Sequence, residues 1–446
     1  MGAGGAALEP GTMPSPGAVP ETSATPETSA TPEPQPLVPM GPIRPAPVRP
    51  RPDAPEGDDG LSAGVSVAAS ELLAGHVCVD ELGHGWVRPW RFLPGQRRAL
   101  ESCMAWYPGI FRQMAACTAG VRLEFETDST SVTVELRVDG EPRATRNVLV
   151  NVDGPDAELP HDGISADVDG AHLVARLPAA GEPGVTFDLV SSQPALADLM
   201  PLPGMGPAHR VTMWLPCLRG CEVGMVTGDG SYLRRIDNRT PRLLVLGDSV
   251  AQGFCADDPA LAWPSVVAGN LGMPLLNQSV GAQVYQPSAL AGLAGQNVPE
   301  SPFGLVIAAL GGNYRFGRCN PAVVGREIAE FLSLVDDAAP DAPLVVMLPY
   351  VKGREAVRGS CYEEVPQLVA QAAERVRARR ARRHAAPLLL LDAPDVPAKQ
   401  LADEDGHPTA KGEAHIARHV LAGIKKLDCR CLRETGGYGR CGACRR

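Results

Sequence analysis

Ser249 sits in LVLGDSVAQGF, where an apolar run ends in Gly247 and Asp248. A serine so placed stands on an exposed turn at the start of a helix. Its hydroxyl is a poor nucleophile unless a neighbouring base takes the proton. The chain offers a base far downstream, in DEDGHPTAKGEAHIARH. His407 follows Asp403, Glu404 and Asp405 there and precedes Pro408. A carboxylate beside it would hold the imidazole in the tautomer that accepts a serine proton. Charge develops on the carbonyl oxygen during attack, so donors must meet it. The pattern supplies three: the Ser249 N–H, the Gly281 N–H in NQSVGA and the Asn313 side-chain amide in ALGGN. Each residue also has a plainer reading. Ser249 would be a turn or cap serine, Gly281 a tight-turn glycine and Asn313 a loop cap. Asp248 reads as a helix-start residue rather than an acid catalyst.

These residues need elements to hold them. From Pro241 the chain alternates apolar strands (RLLVLG, PLLNQSVG, FGLVIAALGGN, APLVVMLPY, APLLLLDAP) with amphipathic helices such as REIAEFLSLVDDAAP and GEAHIARHVLAGIKK. That alternation predicts a parallel three-layer α/β sheet. Ligand sites in such sheets gather at the carboxyl ends of the strands, and GDS, SVG and GGN all fall there. Between about Val65 and Thr240, VRLEFETD, SVTVELRVD and HRVTMWLP alternate apolar and polar residues as half-buried strands do. No long amphipathic helix is expected among them, and short strands with turn signals suggest an antiparallel sandwich. Residues 1–62, rich in Pro, Ala and Thr, read as a disordered tail, since they carry too little apolar surface to offset their ordering entropy.

Composition narrows the class further. The chain has 446 residues and a formal net charge of −10, which argues against nucleic acid as a partner. No window approaches the ~20 apolar residues of a membrane helix. The N-terminus lacks the basic and apolar regions of a signal peptide, so a cytoplasmic location is expected, with export left open. Neither a P-loop lysine motif nor a Rossmann glycine fingerprint is present, and no cofactor is expected. Twelve cysteines in so long a chain do not suggest a disulfide scaffold. Cys78, Cys103, Cys117, Cys255, Cys319 and Cys361 are scattered and read as buried or reduced thiols. Cys217 and Cys221 are close enough to pair or to be simply buried. Cys429, Cys431, Cys441 and Cys444 form CxC and CxxC pairs that four-thiolate zinc binding would suit, with disulfides or free thiols as the alternatives. His415 and His419 are four apart on a predicted helix but lack the glutamate of HExxH and read as helix surface.

Taken in order, strand-GDS, a glycine after the next strand, GGN and a carboxylate-rich segment before His-Pro resemble the SGNH hydrolases, or GDSL esterases. Ser249, Gly281, Asn313 and His407 match, and the likeness covers about Pro241 to Lys426. The resemblance implies a flavodoxin-like catalytic domain over 239–427 and a jelly-roll-like β-sandwich over 63–238 as in two-domain SGNH carbohydrate esterases; by its composition, 428–446 reads as a Cys-rich tail. It further implies a serine esterase that cleaves a small acyl ester through an acyl-enzyme, the substrate being a small molecule or an O-acetylated carbohydrate. Alternatives are an O-acyltransferase with the same triad, or an inactive glycan-binding protein. Two departures stand out. Val250 replaces the leucine of GDSL, and the family's usual acid position, three before the histidine, holds Glu404. Asp405, two before it, is preferred as the acid here, with Glu404 next.

Overall fold

Along Arg242–Gly247, Leu244 and Leu246 turn to one face of their sheet while Leu243 and Val245 turn to the other, and all four are buried. Phe303–Ala309 divides in the same way, Val306 and Ala308 against Leu305 and Ile307. A strand apolar on both faces needs cover on both. The computed structural model supplies it. It describes residues 64–427, except 103–108, 141, 190–207 and 351. Helices Pro321–Ala338 and Val365–Arg382 cover one face, through Ile328, Phe331, Leu332, Val369 and Ala373. Helices Trp263–Leu271 and Ala410–Ile424 cover the other, through Trp263, Val267, Ile416 and Val420.

The sheet has five parallel strands in the order Leu275–Asn277, Arg242–Gly247, Phe303–Ala309, Leu344–Met347 and Leu388–Leu391. Connections leave the Arg242–Gly247 strand on one side and return on its other side. That reversal opens a crevice at the carboxyl ends of the strands, where Ser249 and Asn313 follow. The expected three-layer α/β architecture is therefore present.

Upstream, two antiparallel six-stranded sheets share one apolar core. One contributes Val132, Val134, Leu136, Val223 and Val226; the other contributes Leu123, Phe125, Val211 and Met213. This is consistent with the expected sandwich. No long amphipathic helix was expected here, yet three shorter ones intervene. Pro94–Ser102, Ile110–Ala116 and Arg143–Asp153 are helical. The apolar residues of Arg143–Asp153 include the β-branched Val148, Val150 and Val152, which favour strands locally. Packing of its Ala144, Thr145 and Leu149 into the interior overrides that preference.

Both sheet systems fall within one compact unit, Leu61–Arg446, and polar contacts join them. Arg122 donates to the Leu275 carbonyl at 3.1 Å. Gly120 has φ +77°, and a Cβ there would lie 2.8 Å from that of Asn277, so only glycine fits this approach. His172 bridges Asp167 and Asp258, at 2.9 and 3.0 Å. Cys319 and Cys361 form a disulfide with Cα atoms 5.6 Å apart, which corrects the reading of these two as thiols. They are 42 residues apart in sequence, and only the folding of two loops onto one another brings them together. Cys217 and Cys221 are unpaired and buried. No helix among the described residues is long and apolar enough to cross a membrane. The tail read as disordered (1–62) and the group Cys429, Cys431, Cys441 and Cys444 lie outside the described residues.

The hydrogen bonds that the His172 ring donates to Asp167 and Asp258 raise its pKa to about 10. A histidine whose folded pKa is raised stabilises the fold fully below its unfolded value, ~6.5, and loses that contribution as pH climbs through the folded one. The melting-temperature gap between wild type and His172→Gln should therefore be widest near pH 6 and shrink towards pH 10. A gap that does not change with pH would refute the coupling.

Candidate active site

Asp248 follows the strand Arg242–Gly247 and caps a short helix, Ser249–Gln252, its carboxylate accepting the Val250 N–H at 3.1 Å. This is the helix-start role expected of it. Burial raises its pKa to about 6. Gly247 permits the sharp turn, since a Cβ there would meet that of Ala251 at 2.4 Å. Ser249 is thereby carried to the sheet's carboxyl edge.

His407 reaches the same place from the far end of the chain. Its Nε2 lies 2.9 Å from Ser249 Oγ, and its Nδ1 lies 2.6 Å from Asp403 Oδ2. With Asp403 ionised, Nδ1–H donates to the carboxylate and Nε2 is left to accept from the serine hydroxyl. Asp403 Oδ1 also accepts the His407 backbone N–H at 2.9 Å. Burial pulls the His407 pKa down. The hydrogen bond and charge of Asp403, helped by Asp405 and Asp248, outweigh this, so the net shift is upward. Burial pushes Asp403 up, but its bonds from His407 outweigh that and leave it low. The Phe254 ring packs 4.5 Å from the imidazole, centre to centre.

The carboxylate on the imidazole is thus neither of the two expected. Glu404 is largely exposed and pairs with Arg354 at 3.2 Å. Asp405 is buried, its Oδ1 has no hydrogen-bond partner, and its nearest cation is Arg354 Nε at 3.6 Å. The reason lies in the turn. Gly406, at φ +87°, donates its N–H to the Asp403 carbonyl at 3.2 Å, which folds the chain back on itself. The residue four before His407 then faces both its N–H and its ring. The signal was present in the sequence, since aspartate at the first position of a β-turn and glycine at the fourth is a favoured pairing.

The turn after Leu275–Asn277 also departs from expectation. Gly281 donates its N–H to Gln252 Oε1 at 2.8 Å, so this donor is already engaged. Gln252 is fully buried and its Nε2 donates to the Cys217 carbonyl at 2.9 Å. The next residue, Ala282, adopts φ +65°, and its N–H has no acceptor among the described residues. The same holds for the Ser249 N–H, the first of its helix. Asn313 follows Gly311, at φ +113°, and its Nδ2 donates to the Gln283 carbonyl at 3.0 Å and more weakly towards Asp248 Oδ2 at 3.4 Å. The structure therefore brings Ser249, Asn313 and His407 into one cluster with Asp403.

Further residues hold the histidine loop, and spacing gave no hint of them. Arg315, on the turn that bears Asn313, donates to the carbonyls of Lys352 and Asp405. Tyr350 donates its hydroxyl to the Gly406 carbonyl at 3.1 Å, and the Arg354 N–H donates to the Glu404 carbonyl at 2.7 Å. The Cys319–Cys361 disulfide joins the segments that carry Arg315 and Tyr350. Cys255, Asp403 and His407 offer ligand atoms within 4.8 Å of one another and could hold a metal ion. Ligation there would compete with the proton relay. His419 instead bonds the Asp392 carbonyl at 2.7 Å from an exposed helix face, in keeping with its surface reading.

Residues 245–415 match the model of the GDSL-like lipase/acylhydrolase family. No curated protein matches the chain. Among solved structures, a salicylyl-acyltransferase from a tetracycline biosynthetic pathway is similar, with TM-score 0.64 and 20% identity over 83% of this chain and 99% of that one. An acetyl xylan esterase from the rumen bacterium Butyrivibrio proteoclasticus has TM-score 0.53 and 11% identity, over 84% and 100%. A family two carbohydrate esterase from Cellvibrio japonicus has TM-score 0.50 and 14% identity, over 83% and 98%. At these identities the likeness is one of fold. Residues 245–415 thus match a GDSL-like lipase/acylhydrolase domain, laid on a parallel sheet that brings Ser249 to His407.

Proposed function

We propose that the protein cleaves a small acyl ester through a covalent acyl-enzyme. The observation that carries this reading is the unbroken hydrogen-bond chain from Ser249 Oγ through His407 to Asp403. His407 Nε2 takes the hydroxyl proton as Ser249 Oγ attacks the carbonyl carbon. The resulting imidazolium, stabilised by Asp403, gives that proton to the departing alkoxide. Water then attacks the acyl-enzyme with His407 again as base, releasing the acid and restoring the serine. The Ser249 N–H, the Ala282 N–H and the Asn313 amide serve the oxyanion. The Gly281 N–H is held by Gln252, so Ala282 takes the role expected of its neighbour. We place the catalytic domain at 239–427 and the sandwich at 63–238.

An O-acetyl group on a carbohydrate is the substrate class favoured here, supported by the fold shared with an acetyl xylan esterase and a carbohydrate esterase. Transfer of the acyl group to another hydroxyl is a second reading, favoured by the fold shared with an acyltransferase. Product analysis with and without an added alcohol separates the two. An inactive glycan-binding protein would have no need of the intact relay. The Cys319–Cys361 disulfide speaks for folding in an oxidising compartment rather than the cytoplasm.

A fluorophosphonate probe should label the wild type at Ser249, read by peptide mapping. Ser249→Ala should lose both labelling and p-nitrophenyl acetate hydrolysis, and equal rates in the two proteins would sink the assignment.

The acid can be tested separately. Asp403→Asn should lower kcat by roughly 10²–10⁴-fold, whereas Glu404→Gln and Asp405→Asn should stay near wild type. Because His407 is shifted upward, kcat/KM should rise with pH along a limb centred above ~6.5. In Asp403→Asn that limb should move to lower pH, since the main upward influence is gone and burial remains. Similar losses in all three variants would show that Asp403 is not the orienting acid.

A further inference from the structure

Arg91 follows the strand Trp86–Trp90 of the antiparallel region, and its side chain is fully buried. Its guanidinium donates to four backbone carbonyls. Nε reaches Cys117 at 2.7 Å, Nη2 reaches Met114 at 2.8 Å, and Nη1 reaches Asn277 at 2.7 Å and Ser279 at 2.8 Å. No carboxylate is among its hydrogen-bond partners in the described residues. Burying a cation without a counter-ion is costly, so its position calls for an explanation. Burial lowers its pKa to about 10, and it remains charged at neutral pH.

What the cation grips is informative. Asn277 and Ser279 lead into the turn that carries Gly281 and Ala282. The peptide groups that Arg91 holds by their carbonyls donate their N–H groups, those of Gln278 and Val280, to the carbonyls of Val245 at 2.8 Å and Gly247 at 3.0 Å. Each of these peptides is thus polarised by the guanidinium at one end and bound to the Ser249-bearing strand at the other. Bonds in such a chain strengthen one another. Gly247 lies two residues before Ser249, and Ser279 lies two before Gly281. The other two carbonyls come from the end of helix Ile110–Ala116, whose Met114 side chain abuts Gly281, 3.2 Å from where a Cβ would stand.

We propose that Arg91 is a positioning residue for the ester chemistry: it fixes the 279–282 turn against the Ser249 turn, so that the antiparallel region supplies part of the oxyanion site's pre-organisation. This rests on the reaction proposed above. Displacing the donors of such a site by a fraction of an ångström lowers turnover more than it weakens substrate binding. A merely structural arginine would affect stability alone.

The test uses the full chain as wild type, Arg91→Gln, Arg91→Lys and Arg122→Gln. Arg122 is a second buried arginine that grips Gly120 and Leu275 at the same seam, away from the turn. Active sites are counted by fluorophosphonate titration, p-nitrophenyl acetate kinetics are measured per titrated site, and melting temperatures are recorded. Arg91→Gln should lower kcat on the order of 10–100-fold with KM little changed, and Arg91→Lys should recover part of the loss. Arg122→Gln should melt earlier yet keep its kcat per site. Wild-type kcat per site in Arg91→Gln, or equal losses in Arg91→Gln and Arg122→Gln, would overturn the proposal. Should Arg91→Gln fail to fold, Arg91→Lys decides: reduced kcat at similar KM supports the role, and wild-type kcat overturns it. A wild type that takes no label defeats the parent reading as well, whereas a labelled wild type with an unaffected Arg91→Gln defeats this one alone.

Discussion

The 2.9 Å contact between Ser249 Oγ and His407 Nε2 joins two turns 158 residues apart in sequence. Neither turn can hold that distance by itself. The parallel sheet does so, because its strands release their connections along one edge, where the turn after the first strand and the loop before the last helix meet. The burial of aliphatic side chains on both faces keeps the strands in register, and that register sets where each turn begins.

The histidine loop shows how a short segment becomes rigid. Its backbone is gripped by Arg315, Tyr350 and Arg354, and Gly353, at φ +86°, lets another loop pass so close that a Cβ would lie 2.4 Å from the Glu404 carbonyl. These contacts leave Asp403 as the carboxylate that can reach the ring. The disulfide between Cys319 and Cys361 joins the segments doing the gripping. The antiparallel region supports the site from the other side, through the carbonyls that Arg91 gathers and through the Gln252 bonds to Gly281 and Cys217. Its proposed bearing on the reaction is through this geometry.

Much of this was legible beforehand, for physical reasons. Aliphatic runs bounded by glycine and aspartate announce buried parallel strands, because nothing else satisfies residues apolar on both faces. The order of GDS, GGN and His-Pro placed Ser249, Asn313 and His407. The helix Arg143–Asp153 was not legible, because its valines favour a strand locally and only packing reverses that. The roles of Cys319, Arg91 and Gln252 were not legible either. Their partners come from distant segments, and a hydrogen bond to a backbone carbonyl leaves no mark on the identity of the accepting residue.

The sequence by itself determined the class of sheet, the pairing of Ser249 with His407 and the likeness to the GDSL-like lipase/acylhydrolase domain, since these depend on residue type and order. Tertiary structure alone decided which of three adjacent acids meets the imidazole, and which N–H of a turn is free. Both are matters of backbone direction. The turn closed by Gly406 sends Asp403 to the ring and Glu404 to solvent, and the Gln252 side chain, folded in from a different turn, engages Gly281 and leaves Ala282 open. Direction of this kind is set by what packs against the chain, and so it is absent from spacing.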